Sequence, residues 1–325
     1  MKKNIAIIMG GYSSEAEISL KSGAVVYQHI SKKKYNVYKV HILKNKWVVV
    51  DDNSHEFEIN KHDFSSLIKG EKINFDCVFN AIHGHPGENG TILAYLDLIG
   101  LKHTSAPFYQ MALTFNKRDC LSVVKEYGIK TANSFYINKS DEIDIDKIVA
   151  KVGLPCFIKP NNAGSSFGIS KAKTTNEILP AIKKAFEEDS QLLIEEFLDG
   201  PEIAIGVLKF KGKVTVLPMT EIVTENDFFD YEAKYLGKSE EITPARISNE
   251  IHKKLEKIAA EIYTVLDMSG FTRSDFILVN NEPHFLEMNT VPGLTNESII
   301  PQQVKAAGIS LEEFFHNAIE MALNN

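Results

Sequence analysis

Cysteine is scarce in this chain: Cys77, Cys120 and Cys156 are the only ones in 325 residues, odd in number and without paired spacing. That excludes a disulfide framework and a cysteine-based zinc site, and it fits a reducing compartment such as the cytoplasm. Long basic blocks are missing as well. The formal net charge is −7 and the one short run, Lys32-Lys33-Lys34, reads as a solvated helix end, so neither nucleic acid nor an anionic membrane is expected as a partner. No apolar run is long enough to span a bilayer. Lys2-Lys3 ahead of residues 5–9 resembles the start of a signal peptide, but that apolar stretch is too short and Gly10-Gly11 ends it. Also absent are a Gly-Lys-Ser/Thr phosphate loop, a Gly-x-Gly-x-x-Gly fingerprint, internal repeats and low-complexity tracts.

What is present is an ordinary globular composition, 44% hydrophobic, long enough for two or three domains. In residues 1–105, apolar strand-like runs at 5–9, 37–43 and 75–82 alternate with helical patterns, which predicts an α/β domain with a helix-covered parallel sheet. A boundary falls at 107–114. Strands at 134–137, 156–159 and 192–195, enclosing helices near 141–151 and 175–188, predict a smaller unit over 106–198. Residues 199–325 begin with a strand pair, 202–210 and 213–219, followed by a long polar and aromatic loop at 224–243. A helix over 249–267 carries Ile251, Leu255, Ile258, Ala259, Ile262 and Leu266 on one face. Ser310 and Glu313 form a capping box that opens a last helix, through residue 323.

The most informative segment is 271–299, FTRSDFILVNNEPHFLEMNTVPGLTNESI. Asn280-Asn281 supplies turn chemistry between two apolar runs, predicting a hairpin. Strand alternation places Arg273 with Asp275 on one face and Glu287 with Asn289 on one face, and a turn near Asn281 sets Asp275 opposite Glu287. Facing carboxylates repel unless a cation lies between them, and two carboxylates with an amide suit Mg²⁺ carrying a phosphate. Ordinary salt bridges to Arg273 on a solvated sheet face are the competing reading. The Pro292-Gly293 turn that follows has free N–H groups suited to an anion.

Four more segments lie at strand ends. Lys159 ends one, ahead of Asn161-Asn162-Ala163-Gly164-Ser165-Ser166-Phe167-Gly168, small residues suited either to polyphosphate or to a plain surface turn. Glu195 and Glu196 end another, as an adenine hinge or a solvated strand end. Near the amino terminus Gly10-Gly11 precedes a helix start, where Ser14 and Glu17 fit a capping box as well as a substrate ammonium site. His83, in a second glycine-rich turn, is either a turn residue or a substrate contact.

Five segments in order, GGYSSEAEISLKSG, HGHPGENG, KPNNAGSSFGISK, YEAKYL and EMNTVPGLTNESI, resemble the D-alanine–D-alanine ligases of the ATP-grasp superfamily over nearly the whole chain. The resemblance implies an ATP-grasp fold, α+β in its ATP-binding part, behind an amino-terminal parallel-sheet domain. It further implies ATP and two Mg²⁺ ions, with Mn²⁺ as a substitute, D-alanine as substrate, a role in cell-wall precursor synthesis and a homodimer. By motif, Lys117 and Lys159 contact phosphates, Lys234 also belongs to the nucleotide-binding set, Glu195, Glu196 and Leu198 form the adenine hinge, and Glu202 binds ribose. Asp275, Glu287 and Asn289 are the implied metal ligands. Arg273 and the Gly293 backbone stabilise the developing oxyanion, worth several kcal/mol. Glu17 holds the first D-alanine's ammonium with Ser165 and Tyr235 orienting it and His83 close by, Ser298 and Ile299 meet the second substrate, and 224–243 is a closing loop. Two departures stand out: Ala16 where many relatives carry arginine, and Ala163 where they carry glutamate, a charge that Asn161 or Asn162 is expected to replace. A ligase using D-lactate is the near rival, disfavoured by Tyr235, and an ATP-binding regulatory protein without turnover is the distant one.

Overall fold

In the computed structural model, which describes residues 2–164, 166–224 and 239–324, the amino-terminal apolar runs build a parallel sheet. Strand β1 (Lys3–Gly10) is buried along most of its length because helices cover both faces, so it reads as a continuous apolar run. Helix α1 (Ala16–His29) crosses over to β2 (Tyr35–Leu43), parallel to β1. The chain then doubles back through β3 (Lys46–Val50), β4 (Glu56–Asn60), β5 (Ser65–Ile68) and β6 (Glu71–Ile73), antiparallel strands that extend one edge of the sheet. On the other edge β7 (Cys77–Asn80) pairs with β1, and α2 (Thr91–Leu98) leads to β8 (Lys102–His103), completing an eight-stranded sheet.

Residues 107–114 lie mostly in α3 (Phe108–Phe115), and α4 (Lys117–Glu126) follows directly, capped by the Asn116 side chain. A four-stranded antiparallel sheet comes next: β9 (Ser134–Asn138), α5 (Ile145–Val152), β10 (Cys156–Pro160), β11 (Ser170–Ala172), α6 (Thr175–Ala185) and β12 (Gln191–Glu196). The third sheet holds β13 (Glu202–Phe210), β14 (Lys213–Val216), β15 (Thr220–Thr224) and β16 (Ser239–Ile242), then, after α7 (Asn249–Val265), β17 (Phe271–Val279) and β18 (Glu282–Asn289). Thus the ends of the expected 224–243 loop are strands, paired Thr224 to Ser239, and its middle lies outside the described residues. Helices α8 (Ile299–Ala306) and α9 (Leu311–Leu323) close the chain, with Ser310 accepting from the Glu313 N–H as the capping pattern predicts.

Core residues show how these parts are joined. Ile5, Ile7 and Phe79 of the first sheet pack with Phe271, Leu294, Phe314 and Phe315, and a second cluster unites Ile92, Leu93 and Leu121 with Phe276, Phe285 and Met288. The central sheet instead has a core of its own, around Ile148, Ile158, Ile182 and Ile194. Its open side faces the third sheet across a cleft.

Candidate active site

The hairpin forms as its pattern predicts. Asn280 and Asn281 both adopt positive φ, 50° and 66°, the turn that matches strand twist, and Asp275 pairs with Glu287 and Arg273 with Asn289 across the ladder. A bulge follows Asp275. Arg273 donates from Nε and Nη2 to the two Asp275 oxygens, each at 2.8 Å, while Lys117 reaches Glu287 Oε2 at 2.9 Å. Asp275 is buried, so the salt bridge exists, but not on a solvated face. Burial works against the Lys117 ammonium, yet Glu287, with Glu88 and Glu195 beyond it, raises its pKa.

The Asn289 amide lies between the acids, its Nδ2 3.1 Å from Asp275 Oδ2 and 3.4 Å from Glu287 Oε1. Reversing that amide, whose two ends are assigned by bonding alone, turns its oxygen to the same point. The set then fits a hard cation such as Mg²⁺. Among the described residues no group of three or more His, Cys, Asp or Glu is arranged for a metal, so the remaining ligands would have to come from phosphate and water.

Between the central and third sheets runs a cleft of about 450 Å³, lined by Phe157, Lys159, Glu195, Phe197, Glu202 and Asp275 among others. That size suits a nucleotide. Lys159 ends β10 as expected and pairs with Glu195 at 2.6 Å. Glu195 is only 2% exposed, and among the described residues its Oε1 has no hydrogen-bond partner, so the solvated-strand-end reading does not hold for it. It is a buried acceptor on the cleft wall. Glu196 differs: its carboxylate accepts from the Asn133 N–H and side-chain amide, and Glu196 and Leu198 both line the cleft. Lys117 lines the same space and donates to the Ala163 carbonyl at 2.9 Å, which brings the glycine turn against both lysines. Ser165, Lys234 and Tyr235 lie outside the described residues.

The amino-terminal contribution departs from expectation. The Ser14–Glu17 capping box does not form: α1 begins at Ala16, Glu15 occupies the N-cap position, and no side chain caps the helix. Glu17, with a side chain 81% exposed, pairs with Lys21 one turn on and is not brought to the cluster. Glu15 is. It is buried, and its carboxylate lies so close to the two glycine turns that a Cβ built on Gly164 would sit 2.7 Å from both oxygens and one on Gly84 2.9 Å from Oε2. Nor do Asn161 and Asn162 replace the missing acid at Ala163. Asn161 bonds Asn116, Gln191 and the Arg118 N–H, and Asn162 bonds Asp189. Glu15 supplies the negative charge there instead.

His83 is buried, with Nδ1 donating to the Val291 carbonyl at 2.7 Å and Nε2 accepting from Ser22 Oγ at 2.9 Å. Burial lowers its pKa, and Arg273 adds to that, which keeps the ring neutral. Ser22 in turn accepts from the Leu294 N–H. Glu88, which sequence reasoning left out, accepts from the N–H groups of Gly84, Thr290 and Val291 and so ties the same two loops together. Burial first, and then Glu15, pushes its carboxyl up to about 7. Ser298 takes the N-cap position of α8 without a side-chain capping bond, its hydroxyl 2.7 Å from that of Thr295 and against Gly293, whereas the Ile299 side chain packs into a small core with Ala204 and Ile222.

A nucleotide-sized cleft between two antiparallel sheets, with a lysine at a strand end on one side and paired acids on the other, defines an ATP-grasp protein. Residues 4–106 match the family of the D-ala D-ala ligase N-terminus and residues 123–320 that of the D-ala D-ala ligase C-terminus. A D-alanine--D-alanine ligase of Flavobacterium johnsoniae is 64% identical over 321 residues, 99% of each chain, and one of Christiangramia forsetii is 57% identical over 324 residues, 100% of this chain and 99% of that one. Among solved structures, D-alanyl-alanine synthetase A from Vibrio cholerae superposes with a TM-score of 0.88 at 27% identity, over 100% of this chain and 99% of that one. VanG D-Ala:D-Ser ligase from Enterococcus faecalis gives 0.87 at 31% identity, over 99% and 100%. The chain belongs to the D-alanine–D-alanine ligase family.

Proposed function

We propose that this protein joins two D-alanine molecules at the expense of ATP, releasing ADP and phosphate and supplying the dipeptide for peptidoglycan synthesis. The observation that carries the reading is the convergence of Lys117, Lys159, Arg273 and the Asp275–Glu287 pair on one cleft, in a chain 64% identical to a named ligase of this type. D-lactate as second substrate has no such support.

The reaction brings two anions together, a carboxylate and the γ-phosphate, so the site's first task is neutralisation. Lys117 and Lys159 hold the phosphates, and the Glu195 oxygen and the Glu196 and Leu198 backbone bind adenine, with Glu202 at the ribose. Asp275, Glu287 and Asn289 are the residues that would hold Mg²⁺, which when bound neutralises phosphate charge. A carboxylate oxygen of the first D-alanine attacks the γ-phosphorus and ADP leaves. The amine of the second D-alanine then attacks the carbonyl carbon of the acyl phosphate, and the C–O bond to phosphate breaks as the amide forms and the amine loses a proton. Arg273, its guanidinium plane held by Asp275, and the Gly293 N–H stabilise the oxyanion of that second step. We assign the first ammonium to Glu15 rather than Glu17, with Ser165 and Tyr235 orienting it and His83 holding the Val291–Leu294 loop. Ser298 and the Ile299 backbone take the second substrate.

Organisation into units at 1–105, 106–198 and 199–325 is part of the reading, supported by the three sheets. So are a homodimer and a cytoplasmic location; among the described residues no helix is long and apolar enough to cross a membrane. Protein incubated with ATP, Mg²⁺ and D-alanine should yield ADP, phosphate and dipeptide in equal amounts. ADP release without dipeptide would refute the assignment.

A further inference from the structure

Helix α4 belongs to two bodies at once. Its apolar face, through Cys120, Leu121 and Val124, packs in the core shared by the first and third sheets, whereas the central sheet has a separate core and lends the larger one only Leu193. The polar first turn of α4 engages that central sheet. The Arg118 N–H donates to Asn161 Oδ1 at 2.9 Å, and its guanidinium donates from Nε to the Leu192 carbonyl at 3.1 Å and from Nη1 to Asn138 Oδ1 at 3.0 Å. Nη2 donates to the carbonyls of both Ile137 and Leu192. The guanidinium also lies 5.0 Å from the Tyr136 ring centroid.

Arg118 is only 9% exposed, and among the described residues no carboxylate forms a salt bridge with it. A buried guanidinium on neutral acceptors is costly unless its fork is well satisfied, and this fork spans the end of β9 and the start of β12, which are neighbours in the sheet. Such a fork tolerates little sliding. The preceding residue is Lys117, whose ammonium bridges Glu287 of the third sheet and the Ala163 carbonyl of the central glycine turn.

We propose that Arg118 is a positioning residue: it fixes the central sheet against α4 and thereby sets the spacing of Lys117 and Lys159 across the phosphate end of the cleft. This rests on the assignment of those lysines to ATP phosphates. Arg118 touches no reactant itself. Its removal acts on nucleotide binding through geometry, since a misplacement of about 1 Å at such a site costs on the order of 100-fold.

The test uses Arg118→Met and Arg118→Lys in the full chain. The Met variant is expected to raise the KM for ATP by about tenfold or more while changing the KM for the first D-alanine by less than about twofold. A point-charge lysine reaches fewer of the three acceptors that the guanidinium holds, so Arg118→Lys should fall between wild type and Met, and it decides the matter alone if Met does not fold. Ile178→Val, in the central core and not among the Arg118 partners, controls for stability: at a matched loss of melting temperature it should leave the ATP KM unchanged. The proposal is overturned if folded Arg118 variants keep a wild-type ATP KM, or if Ile178→Val raises it equally. Absence of dipeptide from the wild type would instead refute the functional assignment.

Discussion

Replacing Glu15 by Gln removes a charge from a place where charge matters. The carboxylate is 6% exposed and pressed against Gly84 and Gly164, in a pocket that also holds His83 and faces Arg273. Truncating one partner of a desolvated charge pair costs about 2–4 kcal/mol, which is ~30- to 1000-fold in kcat/KM. Glu15→Gln should therefore lower kcat/KM for the first D-alanine by that factor, measured by coupled ADP release at saturating ATP, with the KM for ATP nearly unchanged. Glu17→Gln is the matched comparison. Its side chain is 81% exposed and pairs only with Lys21, so it should change kcat/KM by less than about twofold. If Glu17→Gln carries the loss, or Glu15→Gln remains within about threefold of wild type, the geometric assignment of the ammonium site is wrong.

Three further outcomes follow from the same geometry. Lys159→Met leaves the buried Glu195 carboxylate without its 2.6 Å counter-ion, which costs about 3–5 kcal/mol and should lower the melting temperature by roughly 10 °C; adding Glu195→Gln should restore part of the stability but not ATP binding. Gly200→Ala would place a Cβ 2.0 Å from the Leu278 carbonyl oxygen, so β17 must shift, stability should fall by about 1–3 kcal/mol and ATP affinity should weaken; an unchanged melting curve and Kd would contradict the close approach. For Glu88, a folded pKa near 7 lies above the usual carboxyl value, so the folded state holds a proton that the unfolded chain has lost. Stability should thus fall as pH rises from about 4.5 to about 7, and Glu88→Gln should flatten that dependence in urea titrations.

The metal-site hairpin is readable in the chain because its turn and its apolar runs are local. The Asn280-Asn281 turn with strict alternation would nevertheless set Asp275 opposite Leu286, and it is the bulge after Asp275, which no sequence pattern marks, that brings Glu287 opposite it. The parallel core of the first sheet shows because its apolar runs are local too. Strands β4 to β6 do not, since they are short, largely polar and toward a sheet edge, where no apolar run marks them. Glu15 and Glu17 are indistinguishable in sequence, and the Ser14–Glu17 spacing draws attention to the one that the fold leaves exposed. Only Gly84 and Gly164, distant along the chain, decide which acid is enclosed. Nothing local in the sequence marks Arg118, because its guanidinium acceptors, two backbone carbonyls and the Asn138 amide oxygen, lie on strands distant along the chain. Asn161, expected with Asn162 to stand in for the acid missing at Ala163, has its amide taken by the Asn116 cap of α4 and by Gln191.

The central claim is that a D-alanine carboxylate accepts the γ-phosphoryl group before the peptide bond forms, and an oxygen label tests it directly. With D-alanine carrying ¹⁸O in its carboxylate, attack on phosphorus followed by C–O cleavage transfers one labelled oxygen to phosphate for each dipeptide made. The account predicts inorganic phosphate labelled in proportion to dipeptide. Unlabelled phosphate alongside full dipeptide yield would contradict it.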